Sequence, residues 1–243
     1  MQAAPRIPAP VPPPSHASSV GGPADTRELG ALGQAVARRI QSLQYDYRHD
    51  RPQAVLALAQ LRRGVGRLEA DMPDLWGLVG MEQFHVAQPP GADEAVALRA
   101  ERAVYAAMTL WALHQQSHRT KGMHVPDGAC LGTAVRRLMP GTVSDESIRK
   151  RLVRAGAATT FDALAQRLRE LVVLLHAAEI PLDYGLLAEH LEQWQEPGGP
   201  SLVRQAWGRG FHAHRGLSGP VRQNGASGLS GSGAGTNESK DQA

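Results

Sequence analysis

The chain has 243 residues, 42% of them hydrophobic and 20% charged, with 26 Lys+Arg against 23 Asp+Glu and a formal net charge of +3. This is a globular composition with ample chain for a core, and it excludes a collagen, a coiled-coil rod and a wholly disordered polypeptide. No apolar run approaches the ~20 residues of a bilayer span, the proline-rich start lacks the basic-then-apolar order of a signal peptide, and a single cysteine, Cys130, excludes an internal disulfide; a cytoplasmic, membrane-free protein is expected.

Residues 1–24 carry seven prolines and no hydrophobic periodicity, and residues 216–243 carry seven glycines and five serines. Neither end has the apolar area to offset its ordering entropy, so both are expected to be disordered, with the core between 25 and 215. Within that span the period is helical. Asp25 is placed to cap a first helix bearing Leu29, Leu32, Val36 and Ile40 on one face, and Pro52 opens a second with Val55, Leu58 and Leu61. Trp76, Val79 and Phe84 mark a short third. After Asp93 comes a long segment with Val96, Ala100, Val104, Met108, Trp111 and Ala112, expected to end near Ser117. Gly122, Pro126 and Gly128 then predict a loop over 120–130. Further helices are expected at Leu131–Met139, after a Ser144 cap, after Thr160 with Leu164, Leu168, Leu171 and Leu175, around Pro181, and over Ser201–His212. The expected fold is all-α: about nine helices in two small bundles, residues 25–125 and 126–215.

The charge is unevenly spread. Residues 115–154 hold Arg119, Lys121, Arg136, Arg137, Arg149, Lys150, Arg151 and Arg154 against three acids, a local +5 that leaves −2 for everything else. Arg204, Arg209 and Arg215 form a second basic segment without an acid, and Arg62, Arg63 and Arg67 close the second helix. With 23 of the 26 basic residues arginine, bidentate phosphate contacts are favoured, although Asp145/Arg149 and Glu146/Lys150 also read as ordinary i,i+4 surface pairs. No aromatic residue lies in 115–154, which favours backbone contact over base stacking. Trp207, four residues from both Val203 and Phe211, reads as core.

Sharper chemistry finds little footing. His114 and His118 stand at i,i+4, with His124 and Cys130 beyond, but the spacing fits no zinc signature and no metal is expected. His176 and His190 read as boundary residues on amphipathic helices, and Cys130 as a small core residue. There is no glycine-rich phosphate loop, nucleophile elbow or spaced carboxylate pair, so neither enzyme nor cofactor is expected. An alternative is a dimeric helix-turn-helix regulator of duplex DNA built on 145–154 and 161–175, presenting Gln166, Arg167 and Arg169, though the connecting 155–160 segment is long for such a turn.

Four pieces in one order carry a resemblance. They are Leu58-Ala-Gln-Leu-Arg-Arg-Gly; Trp111-Ala-Leu-His-Gln-Gln-Ser-His-Arg-Thr-Lys-Gly-Met-His with Leu131-Gly132 and Ala134-Val135-Arg136-Arg137-Leu138; Ile148-Arg-Lys-Arg-Leu-Val-Arg; and Ile180-Pro-Leu-Asp-Tyr-Gly-Leu-Leu-Ala with Trp194. Over about 28–212 the chain resembles the CasB-type small subunit of the type I-E CRISPR surveillance complex (Cascade). The resemblance implies a non-catalytic, two-bundle helical protein that pairs with a second copy of itself. It implies other Cascade subunits, guide RNA and displaced single-stranded DNA as partners, and a part in stabilising the R-loop. The family's basic positions carry over to Arg62 or Arg63, Arg119, Lys121, Arg136 and Arg154; Arg137, Arg149, Lys150, Arg151 and Arg204 enter from charge alone.

Overall fold

The computed structural model describes residues 28–80, 93–139, 141 and 145–213. Among the described residues there are nine α-helices: α1 (Ala31–Arg48), α2 (Pro52–Arg63), α3 (Trp76–Val79), α4 (Glu94–Gln115), α5 (Leu131–Arg137), α6 (Asp145–Gly156), α7 (Phe161–Ala177), α8 (Tyr184–Trp194) and α9 (Gly199–Ala213). Two single 3-10 turns, Glu69–Asp71 and Pro73–Leu75, lead into α3. The only pairing of strand type among the described residues is a parallel bridge between His124 and Leu182.

Three helix starts, those of α4, α7 and α8, are capped by short polar side chains. The Asp93 carboxylate accepts from the Ala95 N–H at 3.1 Å, and the Thr160 hydroxyl accepts from Ala163 at 3.2 Å. Pro52 occupies the first turn of α2, where its missing N–H costs nothing. Three boundaries differ from expectation. α1 starts at Ala31 behind an extended Gly30, leaving Leu29 outside, while Asp25 lies outside the described residues, as do Phe84 and Ser144. α8 starts at Tyr184 rather than Pro181. Residues 181–182 are drawn out to meet the 123–125 backbone, with Leu182 donating to Met123 O at 3.0 Å and accepting from Val125 N at 3.3 Å, and Asp183 then caps the helix. α9 begins at Gly199, two residues early.

α4 is the axis. From Ala103 to Ala112 every side chain is buried, as expected of a helix enclosed on all sides. α1, α2, α7 and α8 pack around it, α6 lies along α7, and α9 packs most extensively on α5 and also on α8. Helices on either side of residue 125 thus share one apolar core, with α7 and α8 reaching from the second half of the chain onto α4. Trp207 is buried as expected, between Val203 and Phe211. His190 is not a boundary residue: it is buried, and its Nδ1 accepts the Trp207 indole N–H at 3.1 Å. Cys130 is only half-buried, at the start of α5, with Sγ 3.4 Å from the Thr133 hydroxyl.

Candidate nucleic-acid interface

The loop after α4 is built on a buried polar framework. Gln115 donates through Nε2 to the carbonyls of His118 (2.6 Å) and Lys121 (3.0 Å), and its Oε1 accepts from the Met123 N–H at 2.8 Å. Gln44 holds the far end of the loop, donating to His124 O at 3.0 Å and accepting from His124 N at 2.9 Å. Arg119 leaves this loop toward the end of α1. Its Nη1 donates to Tyr47 O at 2.9 Å and lies 2.8 Å from Asp50 Oδ1, with the guanidinium 3.9 Å from the Tyr47 ring centroid. Lys121 leaves toward the end of α7, donating to Glu179 O at 2.6 Å with that residue's carboxylate at 3.9 Å. Both side chains keep a solvent-facing part, with 38% and 47% exposure.

Among the described residues the histidines of this region form no metal-ligand cluster, although the His118 and His176 rings lie 4.5 Å apart. His114 Nδ1 lies 3.0 Å from the Tyr184 hydroxyl, His118 Nε2 lies 3.2 Å from His176 O, and His124 Nδ1 accepts from Tyr184 N at 3.1 Å. Burial, reinforced by His176, brings His114 down to about 3; burial also lowers His124, against the opposing pull of Asp183. Two rings meet Tyr184 at different atoms and the third meets His176, and no group of three or more metal-ligating side chains forms among the described residues.

A second basic group lies across the molecule. Arg62 and Arg63 are exposed in the last turn of α2, where they complement the helix dipole. The loop just past that turn meets the start of α7 through Gln166, which donates to Gly66 O at 3.0 Å, and Arg167 of α7 donates in turn to Arg154 O at the end of α6. Arg62, Arg63 and Arg154 are therefore disposed around one end of α7. Arg119 and Lys121 sit at the other, roughly 25 Å away along the 17 residues of that helix. Among the described residues Arg62, Arg63 and Arg154 have no acidic partner.

The third group belongs to α5 and α9. Arg136 lies 5.9 Å from the Phe211 ring, and Arg204 donates to Gly156 O at 3.2 Å and to the Ser201 hydroxyl at 2.8 Å. Arg137 lines a groove of about 630 Å³ between the 125–130 loop and α9, and Arg209 lines it with Arg137. Arg209 was not among the expected site residues; its signal was the acid-free 201–215 segment. By contrast, three cations of α6 are paired, two with one carboxylate of α6 and one with a carboxylate of α7. Arg149 and Lys150 share Glu146 at 2.6 and 3.7 Å, and Arg151 meets Glu170 at 3.1 Å. Such exposed pairs contribute little to stability but lower the local potential. The eleven expected residues are thus not one patch but three groups and a paired face.

The helix-turn-helix geometry is not found. α7, the would-be recognition helix, is packed against α4 and α6, and Gln166 and Arg167 are committed to protein carbonyls, leaving only Arg169 of the three outward.

These features define a small all-helical protein that presents several exposed guanidinium groups. The profile of a family described as "CRISPR-associated protein Cse2" matches residues 57–212. The chain is similar to CasB from Thermobifida fusca, at 49% identity and a TM-score of 0.68 over 76% of this chain and 99% of that one. It shares its fold with a Cse2-family protein from Thermus thermophilus, at 23% identity and a TM-score of 0.56 over 74% and 97% of the two chains. It also shares it with a chain of a structure described as "CRISPR RNA-guided surveillance complex", at 20% identity and a TM-score of 0.57 over 77% and 99%. No curated protein sequence matches. The chain belongs to the Cse2 family of CRISPR-associated proteins.

Proposed function

We propose that this protein is the non-catalytic small subunit of a type I-E CRISPR interference complex in the cytoplasm. It assembles with the other Cascade subunits, the guide RNA and a second copy of itself, and its arginines hold the backbone of the displaced DNA strand. The observation that carries this reading, beside the family, is the presence among the described residues of exposed guanidinium groups without acidic partners, Arg62, Arg63, Arg137 and Arg154 among them. Guanidinium groups bind phosphate oxygens in a bidentate geometry and stay charged at any physiological pH. One subunit thereby offers three basic groups: Arg62, Arg63 and Arg154 at one end of α7, Arg119 and Lys121 at the other, and Arg136, Arg137 and Arg204 on α5 and α9. R-loop formation exchanges one duplex for another of similar stability, so a few backbone contacts to the freed strand are enough to tip it.

The test is binding of the full chain to an oligo-dT strand across a salt series. Arg62→Ala with Arg63→Ala and Arg154→Ala removes three contacts and should lower the slope of log K against log salt by about 2. Lys150→Ala, which removes a paired charge, should change it far less. An unchanged slope in the triple variant overturns the assignment. A preference for one duplex sequence by several kcal/mol would instead mark a regulator.

A further inference from the structure

We infer that Gln115 is a positioning residue for the basic loop, the single buried amide that sets where Arg119 and Lys121 stand. This rests on reading those two side chains as phosphate contacts. Gln115 has no solvent exposure, and its amide offers two N–H donors and a carbonyl acceptor. The donors are spent on the carbonyl of His118, directly before Arg119, and on the carbonyl of Lys121 itself; the acceptor takes the N–H of Met123. The peptide units on both sides of the two cations are therefore tied to one side chain at the end of α4, the most enclosed helix of the fold.

Three helices, α1, α4 and α7, close around this loop on a left-handed residue two positions past their last residue. Four non-glycine residues among those described have positive φ: Asp50 (54°), Ser117 (66°), Asp127 (53°) and Glu179 (53°). Ser117 and Asp127 flank the loop, Asp50 meets Arg119, and Glu179 meets Lys121. Left-handed non-glycine residues persist where the surroundings over-determine them. Here Gln115 fixes the loop from beneath, and Asp50 and Glu179 receive its two charges at the sides. The Ser117 N–H donates to the Tyr47 hydroxyl at 3.1 Å, adding a third tie beside Arg119.

Gln115→Glu keeps the shape and the Met123 bond but sets a carboxylate oxygen against two carbonyls. Gln115→Met keeps the volume and removes all three bonds, and it carries the same prediction should the glutamate variant not fold. Binding of the full chain to an oligo-dT strand is compared in four proteins: unmodified, Arg119→Ala with Lys121→Ala, the Gln115 variant, and the triple combination. Each cation is paired with one carboxylate, so loss of the two should lower the salt slope by about 0.5–1, less than the ~1.4 of two unpaired contacts. The Gln115 variant should reproduce most of that fall, and the triple variant should show no further one. Asp183→Ala, which weakens the start of α8 without touching the Gln115 bonds, controls for lost stability and should leave the slope unchanged. A destabilised Gln115 variant with an unaltered slope makes Gln115 structural only and overturns the inference. If the double variant itself leaves the slope unaltered, the reading of Arg119 and Lys121 fails and the inference falls with it.

Discussion

The packing of α5 on α9 rests on a missing side chain. A Cβ built on Gly132 would stand 1.8 Å from the Trp207 carbonyl oxygen, 2.7 Å from its carbon and 2.9 Å from Phe211 N. All three are backbone atoms of α9, so no rotamer change relieves the clash. Restoring an ordinary contact of 3.4 Å requires the helices to part by about 1.6 Å, which opens the packing of Leu131 and Val135 against Val203, Trp207 and Phe211. Overpacking costs up to ~3 kcal/mol when the obstacle cannot move, offset by ~1 kcal/mol because alanine is the better helix former. Gly132→Ala should therefore lose about 2 kcal/mol net, a fall of roughly 4–8 °C in Tm for a domain of this size. Gly208, on α9 as well, has nothing within 4 Å of its virtual Cβ. Gly208→Ala should gain ~0.5–1 kcal/mol from helix propensity alone. Calorimetry or urea titration of both variants gives a comparison of opposite sign. A Gly132→Ala protein as stable as its parent, or a Gly208→Ala protein that loses what Gly132→Ala loses, would refute the reasoning.

Two further predictions concern stability alone. Because the folded chain keeps His114 neutral down to about 3 while the unfolded chain takes up its proton near 6.5, stability is full above that range and declines as pH falls through it, by up to ~1.4 kcal/mol per pH unit. His114→Gln should flatten that acid limb, read as the difference in urea midpoint between pH 7 and pH 5; parallel curves for the two proteins would count against it. Asp183 Oδ1 accepts from both Gly185 N (2.9 Å) and Leu186 N (3.1 Å) at the buried start of α8. Asp183→Ala should cost ~1–2 kcal/mol, with Asp183→Asn restoring most of it.

How far the fold is legible depends on whether the deciding contact is local. The faces of α1, α4 and α7 are set by residues three and four apart, and the Asp93 and Thr160 caps by bonds two and three residues long, so both are visible in the chain. The start of α8 is not. Pro181 is a plausible first helical residue by its own chemistry, and it loses that place only because Leu182 pairs with Met123 and Val125, nearly sixty residues earlier. His190 is misjudged for the same reason: what encloses it is Trp207 of the next helix.

The basic surface shows the same division, with a consequence for binding. The +5 of residues 115–154 is a sum along the chain, whereas phosphate meets the sum in space. Within that stretch Arg149 and Lys150 pair with Glu146, which the i,i+3 and i,i+4 spacing makes visible. Arg119, Lys121 and Arg151 pair with Asp50, Glu179 and Glu170, all from outside the stretch and invisible to any count within it. Those three acids reduce the local excess from +5 to +2, and among the described residues the basic side chains of the stretch left without an acid are Arg136, Arg137 and Arg154. A paired cation must give up its carboxylate before it can take a phosphate, so much of what it gains from the nucleic acid is spent on the exchange. An unpaired one displaces only water and counterions. The salt dependence of strand binding should accordingly follow the number of unpaired arginines, Arg62 and Arg63 included, more closely than the far larger number of basic residues in the chain.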